Sequence, residues 1–285
     1  MIYNIPIMPD KIKAQNSKLK TADSISVIIY ACNDERNIGR CIASAQLLSP
    51  NVILANIDST DQTAEIAKRL GAQVVIMKQT KYVETVRMDG IRHSTTDWVF
   101  ILDSDEVISP ELACEITSVI SAQSSAVSNL TSDNLQLTTA YRVPRKNIFG
   151  KSKWLKHGGW WPDSQIRLIK RSELVDWPSI IHSTPQIKGT CATLKEPLMH
   201  YSHGDFSQMV KKTIKFEGVE SDLLHQAGKK TSTITFFRKF FGELYRRLIK
   251  QKGFLDGKEG IAESIYQAYS KTVTYLMLYE KNRSL

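Results

Sequence analysis

The chain has 285 residues, a hydrophobic fraction of 42% and a formal net charge of +9. The length suffices for one large α/β domain, or one domain with a small appendage, and the apolar fraction excludes an intrinsically disordered chain. The sequence holds no run of about eighteen apolar residues, so no transmembrane helix is expected, while the basic balance suits an anionic partner such as nucleic acid, anionic lipid or a phosphorylated substrate.

Residues 1–23 contain several lysines and no long apolar core, so they are interpreted as an N-terminal extension rather than a secretory signal. The spacing of the four cysteines matches no zinc or redox pattern, which favours reduced thiols and a cytoplasmic location. They are Cys32, Cys41, Cys114 and Cys191.

Strand and helix patterns alternate after residue 24. Apolar or β-branched runs predict strands at residues 25–30, 52–57, 73–77 and 98–102, and helical spacing predicts helices at 35–48, 64–70 and 82–93. Asn33-Asp34 is expected to cap the first helix, and Ser59 with Gln62 to form a capping box on the second, which Gly71 ends. Strands separated by helices predict a parallel, doubly wound sheet.

The rest of the chain changes character twice. A stretch rich in Ser, Asn and Thr at residues 121–134 is expected to be a surface loop between two halves. Residues 141–201 are rich in Trp, Pro, Gly and His and suggest a substrate-facing lobe, and helical patterns return after about residue 207. The predicted organisation is therefore an extension (1–23), two halves of an α/β domain (24–120 and 121–205) and a C-terminal helical region (206–285).

Three of the four predicted strands end in an acidic turn. The turns are Cys32-Asn-Asp-Glu35, Asp58-Ser-Thr-Asp61 and Asp103-Ser-Asp-Glu106. Ligands of parallel sheets bind beyond the carboxyl ends of the strands, and these turns lack the glycines and lysine of nicotinamide or P-loop enzymes. Asp103 and Asp105, two residues apart after a hydrophobic strand, suit Mg²⁺ or Mn²⁺, which would neutralise a departing diphosphate. A solvated acidic turn is the competing interpretation.

Four blocks between residues 25 and 112 resemble glycosyltransferase family 2, whose fold is GT-A. They are Ser26–Ile38, Asp58–Ala67, the pair Arg87-Met88, and Trp98–Glu106. Further along, Gly158-Gly-Trp-Trp-Pro-Asp-Ser-Gln-Ile-Arg-Leu168 resembles a block of the lipopolysaccharide-core β-glucosyltransferase subgroup, as do Ile181-His182, His200-Tyr-Ser202 and Gly253–Gly257. The chain departs from the family at Asn56, where an Asp is usual, and at Met88, where an Asn is usual.

The resemblance implies an inverting transfer of a hexose from a nucleoside-diphosphate sugar, with UDP favoured. The acceptor would be a glycan or a lipid-linked molecule such as lipopolysaccharide core. Residues 24–120 would form the nucleotide-sugar-binding half and residues 121–205 the acceptor-binding half. Protein and small-molecule acceptors stay open, and a nucleic-acid-binding module is disfavoured because no standard motif is present. Asp34, Asn56, Asp61, Asp103 and Ser104 are expected near the base and ribose, although Asp34 and Asp61 are equally suited to capping helices. Arg87 would reach the diphosphate or fix a carboxylate.

The remaining candidate site residues follow from the same resemblance. Asp105 and then Asp103 are the predicted metal ligands, with Glu106 orienting them and His200 as a candidate third ligand. Asp163 is the candidate general base, with an Asp in a turn after proline as the structural alternative. Trp160, Trp161, Gln165 and Arg167 would line its pocket, and His182 is a weaker candidate, because a lone histidine is more often structural.

The C-terminal region carries a helical stripe of aromatic and aliphatic residues from Phe236 to Ile249, together with Lys239, Arg246, Arg247, Lys250 and Lys252. A basic, aromatic amphipathic helix suits an anionic membrane surface, which would place the protein on the inner face of a membrane. Packing of this helix on the core or on a partner is the alternative. A second helix around residues 261–276 is expected to pack against it.

Overall fold

The structure is a computed structural model and describes residues 23–129, 138–203 and 205–283. Residues 1–22 of the predicted extension lie outside the described residues. The chain forms two compact units. Of the described residues, unit 1 comprises 23–129, 138–144 and 164–198, and unit 2 comprises 145–163, 199–203 and 205–283. This division differs from the boundaries expected from composition, because residues 145–163 group with the C-terminal helices.

Unit 1 is built on a sheet with four parallel strands in the order β3-β2-β1-β4. These are β1 (Ile25–Ala31), β2 (Val52–Ile57), β3 (Gln73–Met77) and β4 (Trp98–Asp103). The helices between them are α1 (Glu35–Ala45), α2 (Thr63–Arg69) and α3 (Glu84–Arg92). The predicted parallel sheet flanked by helices is therefore confirmed.

Antiparallel strands extend the sheet. The strand β8 (Ser164–Lys170) pairs with β4, and β6 (Thr138–Phe149) pairs with β8. Next to β6, β11 (Thr190–Thr193) runs parallel to it, while β9 (Leu174–Asp176) and β10 (Gln186–Ile187) form a separate ribbon. The remaining elements around this region are β5 (Glu106–Val107), α4 (Pro110–Asn129), a 3₁₀ turn (Arg171–Glu173) and β12 (Leu198–His203).

The core of unit 1 lies on both faces of the sheet, because side chains alternate along each strand. Val27 and Ile29 of β1 pack on one face with Ile42 of α1. Ile28 and Tyr30 point to the other face, where Val86 and Ile91 of α3 cover them. Every residue of β1 is buried, as expected for a central parallel strand.

Two local predictions were wrong. The expected loop at residues 121–134 is helical as far as Asn129, and residues 130–137 lie outside the described residues. The polar run sustains the helix because its hydroxyls donate to carbonyls four residues back, as Ser124 does to Ile120. The capping box of Ser59 and Gln62 is replaced by another arrangement, since Ser59 Oγ accepts from the N–H of Asn33. Gly71 does follow α2 with a φ of 81°.

Unit 2 contains β7 (Lys153–Trp154), which pairs with the end of β6, and three long helices. These are α5 (Phe206–Gln226), α6 (Thr233–Leu244) and α7 (Gly257–Arg283). A π-helical segment (Tyr245–Lys250) continues α6, and a 3₁₀ turn (Gly253–Asp256) precedes α7. Both α5 and α6 pack on α7, which confirms the predicted C-terminal helical region. Among the described helices, none is long and apolar enough to cross a membrane.

Candidate active site

The acidic turns of unit 1 meet at one edge of the sheet. In the strand register Ala31 pairs with Asn56 and Tyr30 pairs with Asp103, so β1, β2 and β4 end at nearly the same level. Two turn residues, Asn33 and Asp58, have positive φ angles of 52° and 48°. Asn and Asp tolerate this left-handed region better than other residues with side chains, which explains their positions in these turns.

The first two turns are tied together by hydrogen bonds. The Asn33 side chain accepts from the N–H of Thr60 at 2.7 Å, and the N–H of Asp34 donates to Thr63 Oγ1 at 2.8 Å. Asp61 accepts from the N–H of Glu35 at 3.0 Å through one oxygen and from the N–H of Thr63 at 3.0 Å through the other. Asp61 therefore holds the first turns of both α1 and α2, which is the capping role expected as one of its two interpretations.

The pKa of Asp61 reflects this arrangement. Desolvation raises the pKa of this carboxyl, but hydrogen bonds from the side chain and backbone of Thr63 and from the backbone of Glu35 outweigh it, and the pKa is lowered. Its stabilising contribution is therefore present above the ordinary carboxyl pKa and is lost as the pH falls.

Asp34 takes a different role from Asp61. It occupies the N-cap position of α1, but its carboxylate accepts from Ser104 Oγ at 2.6 Å and from Asn37 Nδ2 at 2.7 Å. The contact with Ser104 joins the turn after β1 to the turn after β4. Two of the residues expected near the nucleotide are thus brought together by the fold.

Asp103 is held by two arginines. Its Oδ1 lies 2.7 Å from Arg87 Nη2, and its Oδ2 lies 2.6 Å from Arg167 Nη2. Arg167 Nη2 also lies 2.5 Å from Glu106 Oε1, and Glu106 Oε2 accepts from the N–H of Asp103 at 3.0 Å. Arg167, expected in the pocket of Asp163, binds the carboxylates that follow β4. The antiparallel pairing of β8 with β4 places it there.

These contacts fix the charge states of the cluster. Burial raises the pKa of Asp103, but the positive charges of Arg167 and Arg87 outweigh it and hold this pKa well below its usual range. Burial lowers the pKa of Arg167, whereas Asp103 and Glu106 raise it by more, so the guanidinium stays charged.

Arg87 lies between two aromatic rings. Its guanidinium carbon is 4.5 Å from the centre of the Tyr30 ring and 5.4 Å from that of Trp177. The Tyr30 hydroxyl donates to the carbonyl of Arg87 at 2.5 Å, and burial raises the pKa of Tyr30. Sequence reasoning missed both rings, and the run Val-Asp-Trp-Pro around Trp177 gives no signal of this contact. Of the two roles expected for Arg87, the geometry corresponds to fixing a carboxylate.

Two buried side chains at this edge carry polar atoms that have no hydrogen-bond partner among the described residues. These atoms are Asn56 Oδ1 and the Nε and Nη1 of Arg87. The side chain of Asn56 is buried at the end of β2. Buried polar atoms are nearly always paired, so unsatisfied ones at the ligand edge of a sheet are consistent with groups that bind a substrate.

The donor set at the end of β4 suits a hard cation. Within the described ranges no group of three or more His, Cys, Asp or Glu side chains is arranged to hold a metal ion. Asp105 is nevertheless buried, and its charge raises the pKa of Asp103. Asp103 binds the guanidinium groups of Arg87 and Arg167. Glu106 also binds Arg167, and the carboxylate of Asp34 accepts from Ser104. Carboxylate oxygens of this kind are the ligands that Mg²⁺ and Mn²⁺ prefer.

Unit 2 contains the candidate base, Asp163, in a polar cluster. Its Oδ2 accepts from Arg145 Nε at 2.9 Å and from Asn147 Nδ2 at 3.2 Å, and Arg145 Nη2 lies 2.7 Å away. Asn147 Oδ1 lies 2.6 Å from His200 Nδ1. The structure thus places His200, a candidate metal ligand, in the hydrogen-bond network of Asp163.

The tryptophans near Asp163 pack within unit 2. Trp161 contacts the ring of Trp154 edge-on at 5.3 Å between centroids, and the guanidinium of Arg247 lies 4.9 Å from the Trp160 ring. Arg247 also donates to the carbonyl of Gly158 at 3.0 Å. The segment that carries Trp160 and Trp161 is therefore held in place by the π-helical segment after α6.

A second contact that sequence reasoning missed supports the same segment. The buried carboxylate of Asp256 accepts from the N–H of His157 at 2.7 Å and lies 2.8 Å from His157 Nδ1. Asp256 belongs to the block Gly253–Gly257, which resembles the subgroup. The resemblance of this block to the subgroup did not indicate that Asp256 binds His157.

Two further candidates are His182 and Gln165. His182 is exposed with a φ of 61°, and its backbone N–H donates to Glu84 Oε1 at 2.9 Å. Gln165 lies on β8 opposite Val143. Both belong to unit 1.

A mixed sheet with four parallel strands, three of which end in acidic turns, extended by antiparallel strands and followed by helices, defines an α/β transferase of the GT-A type. Residues 26–178 match the family described as Glycosyl transferase family 2. The chain belongs to this family and is a glycosyltransferase, as the sequence blocks implied.

Relatives that align over most of this chain are also named glycosyltransferases. An uncharacterized glycosyltransferase of Rickettsia bellii is 24% identical over 273 residues, covering 90% of this chain and 86% of its own length. Another from Rickettsia prowazekii is 25% identical over 257 residues, covering 87% and 84%.

Among solved structures, Staphylococcus aureus TarS (residues 1–349) is 13% identical, with a TM-score of 0.45 and coverage of 92% of this chain and 91% of that one. Glucosyl-3-phosphoglycerate synthase of Mycobacterium tuberculosis, in complex with Mn²⁺, UDP-glucose and phosphoglyceric acid, is 15% identical, with a TM-score of 0.43 and coverage of 81% and 87%.

Proposed function

We propose that this glycosyltransferase moves a hexose, with inversion at the anomeric carbon, from a nucleoside-diphosphate sugar to a glycan or lipid-linked acceptor. One observation carries the proposal. The turns after β1 and β4 join through Asp34 and Ser104, beside an Asp103 carboxylate fixed by Arg87 and Arg167. Such an edge offers hydrogen-bond acceptors for base and ribose, and carboxylate oxygens for the cation of a diphosphate.

The donor would lie along the carboxyl edge of the sheet, with UDP as the favoured nucleotide. Asn56 Oδ1 is buried without a described partner, which leaves an acceptor for a base N–H. The carboxylate of Asp34, already bonded to Ser104, suits a ribose hydroxyl. Arg87 keeps two donor atoms without described partners, and these suit a phosphate oxygen.

Asp105 and Asp103 would hold Mg²⁺ or Mn²⁺. A bound divalent cation supplies charge neutralisation for the departing diphosphate. Arg87 and Arg167 keep Asp103 ionised and in one orientation, because each oxygen accepts from a different guanidinium. Glu106, buried and bonded to Arg167 and to the N–H of Asp103, fixes the turn itself.

Asp163 would act as the base. The acceptor hydroxyl loses its proton to the carboxylate and its oxygen bonds to the anomeric carbon, while the bond from that carbon to the diphosphate oxygen breaks with its electron pair. Arg145 and Asn147 both contact Oδ2, so they orient the carboxylate.

Replacing the base tests its role directly. Asp163→Asn should lower kcat by about 10²- to 10⁴-fold while leaving KM for the donor nearly unchanged, because the amide keeps the volume but accepts no proton. Lys151→Gln, on an exposed residue of the same unit, is a control that should retain most activity. An Asp163→Asn enzyme with kcat within threefold of wild type would remove Asp163 from the mechanism.

The acceptor assignment rests on the second set of blocks. Gly158–Leu168, with its two tryptophans, supports an acceptor related to lipopolysaccharide core, since aromatic rings stack on sugar faces. A protein or small-molecule acceptor is the alternative. We propose that the enzyme works in the cytoplasm, at the inner face of the membrane.

A donor screen tests the proposed function. Purified enzyme is incubated with UDP-, ADP- and GDP-hexoses, with Mn²⁺ or with EDTA, and release of free nucleotide and sugar is recorded. We expect release from a UDP-hexose only with Mn²⁺, and the anomer of the released sugar should show inversion. Metal-independent release, or no release from any donor, would contradict the proposal.

A further inference from the structure

The outer face of α6 and its π-helical extension exposes a row of large apolar side chains, here called the apolar stripe. Its spacing of three or four residues keeps the row on one side of the helix. The stripe consists of Ile234, Phe237, Phe241, Tyr245 and Ile249, which are 77%, 65%, 59%, 62% and 50% exposed. Isolated exposed apolar residues are ordinary on proteins, but a continuous row of this length marks an interaction surface.

The stripe is not the face that holds the helix in unit 2. Phe236 packs edge-on against Tyr279 of α7 at 5.5 Å between ring centroids, and Phe240, Leu244 and Leu248 are half-buried. The apolar residues read from the sequence as one stripe therefore divide into two faces. One face packs on α7, and the other lies open to solvent.

The positive charge of the chain is concentrated around this stripe. Residues 229–252 contain eight Lys and Arg and one Glu, so seven of the nine net positive charges of the protein reside in this segment. Five of these basic side chains are exposed and form no ion pair with another described residue, namely Lys229, Lys230, Arg238, Lys250 and Lys252. The single acid, Glu243, is occupied by Arg246 and Arg247. The surface therefore combines exposed positive charges with exposed apolar side chains.

We propose that the apolar stripe and its flanking cations dock the protein on an anionic phospholipid bilayer. Helices that lie in a membrane interface have this composition, with apolar and aromatic side chains entering the acyl boundary and Lys or Arg beside the headgroups. Tyr245 suits the headgroup level, where Tyr and Trp are enriched. A nucleic acid would satisfy the cations but not the five apolar side chains. The inference goes beyond the transfer reaction and does not depend on it.

Vesicle binding tests the proposal on the full chain without donor or acceptor. Protein is centrifuged with vesicles of phosphatidylcholine alone, or with added phosphatidylglycerol, at low and at high salt. We expect binding only to the anionic vesicles, weakened by salt. Because each basic residue near an anionic surface contributes about fivefold to binding, Arg238→Gln with Lys250→Gln should weaken it by roughly 30-fold.

The apolar part has its own variant and control. Phe237→Ser with Phe241→Ser should lower vesicle binding at least tenfold, whereas Ile76→Ser, on the equally exposed Ile76 of β3, should leave it unchanged. Lys68→Gln with Arg69→Gln, on exposed residues of α2, is the matched charge control.

Two results would overturn the proposal. One is the absence of binding to anionic vesicles. In that case light scattering could show a dimer that the Phe237→Ser, Phe241→Ser variant converts to a monomer, and the stripe would then be a dimer interface. The other is equal binding by these variants and their controls. Circular dichroism of each variant distinguishes lost docking from lost folding, and the donor screen on the same samples separates this question from that of transfer.

Discussion

Arg167 is expected to be a main electrostatic support of the site, and replacing it gives a measurable effect on stability. Its side chain is 5% exposed, and one nitrogen bridges Asp103 at 2.6 Å and Glu106 at 2.5 Å. Arg167→Gln removes the guanidinium while both carboxylates stay buried. Removing one partner of a buried ion pair costs about 3–5 kcal/mol. For a chain of this size we expect the Tm to fall by roughly 6–20 °C.

The assay is thermal unfolding followed by circular dichroism, with Arg171→Gln as the control. Arg171 is exposed and donates one hydrogen bond to the carbonyl of Thr96, so its loss should cost about 1 kcal/mol or less. The pKa of Asp103 is lowered in the folded protein, so its ion pairs stabilise the fold above the unfolded pKa of about 3.9 and lose this effect as the pH falls. The difference between wild type and Arg167→Gln should therefore be constant near neutral pH and shrink in acid. A variant within 1 °C of wild type at pH 7 would refute this account.

Two further stability predictions follow from close contacts in unit 1. In Gly90→Ala the new Cβ would overlap the Tyr30 ring, so we expect a loss of about 1–3 kcal/mol in urea unfolding, whereas Gly39→Ala, with its nearest atoms at 3.8 Å, should be neutral or slightly stabilising. Asp61→Ala removes two helix caps and should lower the free energy of unfolding by about 1–2 kcal/mol at pH 7. Because the pKa of Asp61 is lowered in the folded protein, the difference in stability between wild type and variant should be lost as the pH falls below about 4. Asp89→Ala, which removes an exposed ion pair, should change stability little. Equal stability of either variant and its control would contradict the corresponding contact.

The sheet was predictable because buried parallel strands are continuous apolar runs. The predicted strands at residues 52–57 and 73–77 match β2 and β3 at both ends, and β4 extends one residue further, to Asp103. Helix ends were less predictable. The first helix was expected to reach Leu48 but ends at Ala45, and the polar run after residue 121 was taken for a loop because its hydroxyl-to-carbonyl bonds do not show in composition.

The site was predictable only where the chemistry is local. The acidic turns follow their strands directly, so Asp34 and Ser104 could be expected at one edge, where they do meet. The pairing of Arg167 with Asp103 spans 64 residues and depends on the antiparallel register of β8 on β4, which no periodicity reveals. The ring of Trp177 over Arg87 was missed for the same reason.

The central claim is that the acidic edge binds a nucleoside diphosphate together with a divalent cation. Calorimetric titration of UDP into the enzyme, with Mn²⁺ and then with EDTA, measures this most directly. We expect binding at least tenfold tighter with Mn²⁺ for the wild-type enzyme and for Asp89→Ala, and loss of that gain in Asp105→Ala. Equal affinity in Mn²⁺ and EDTA, or an Asp105→Ala enzyme that retains the full gain, would contradict the account.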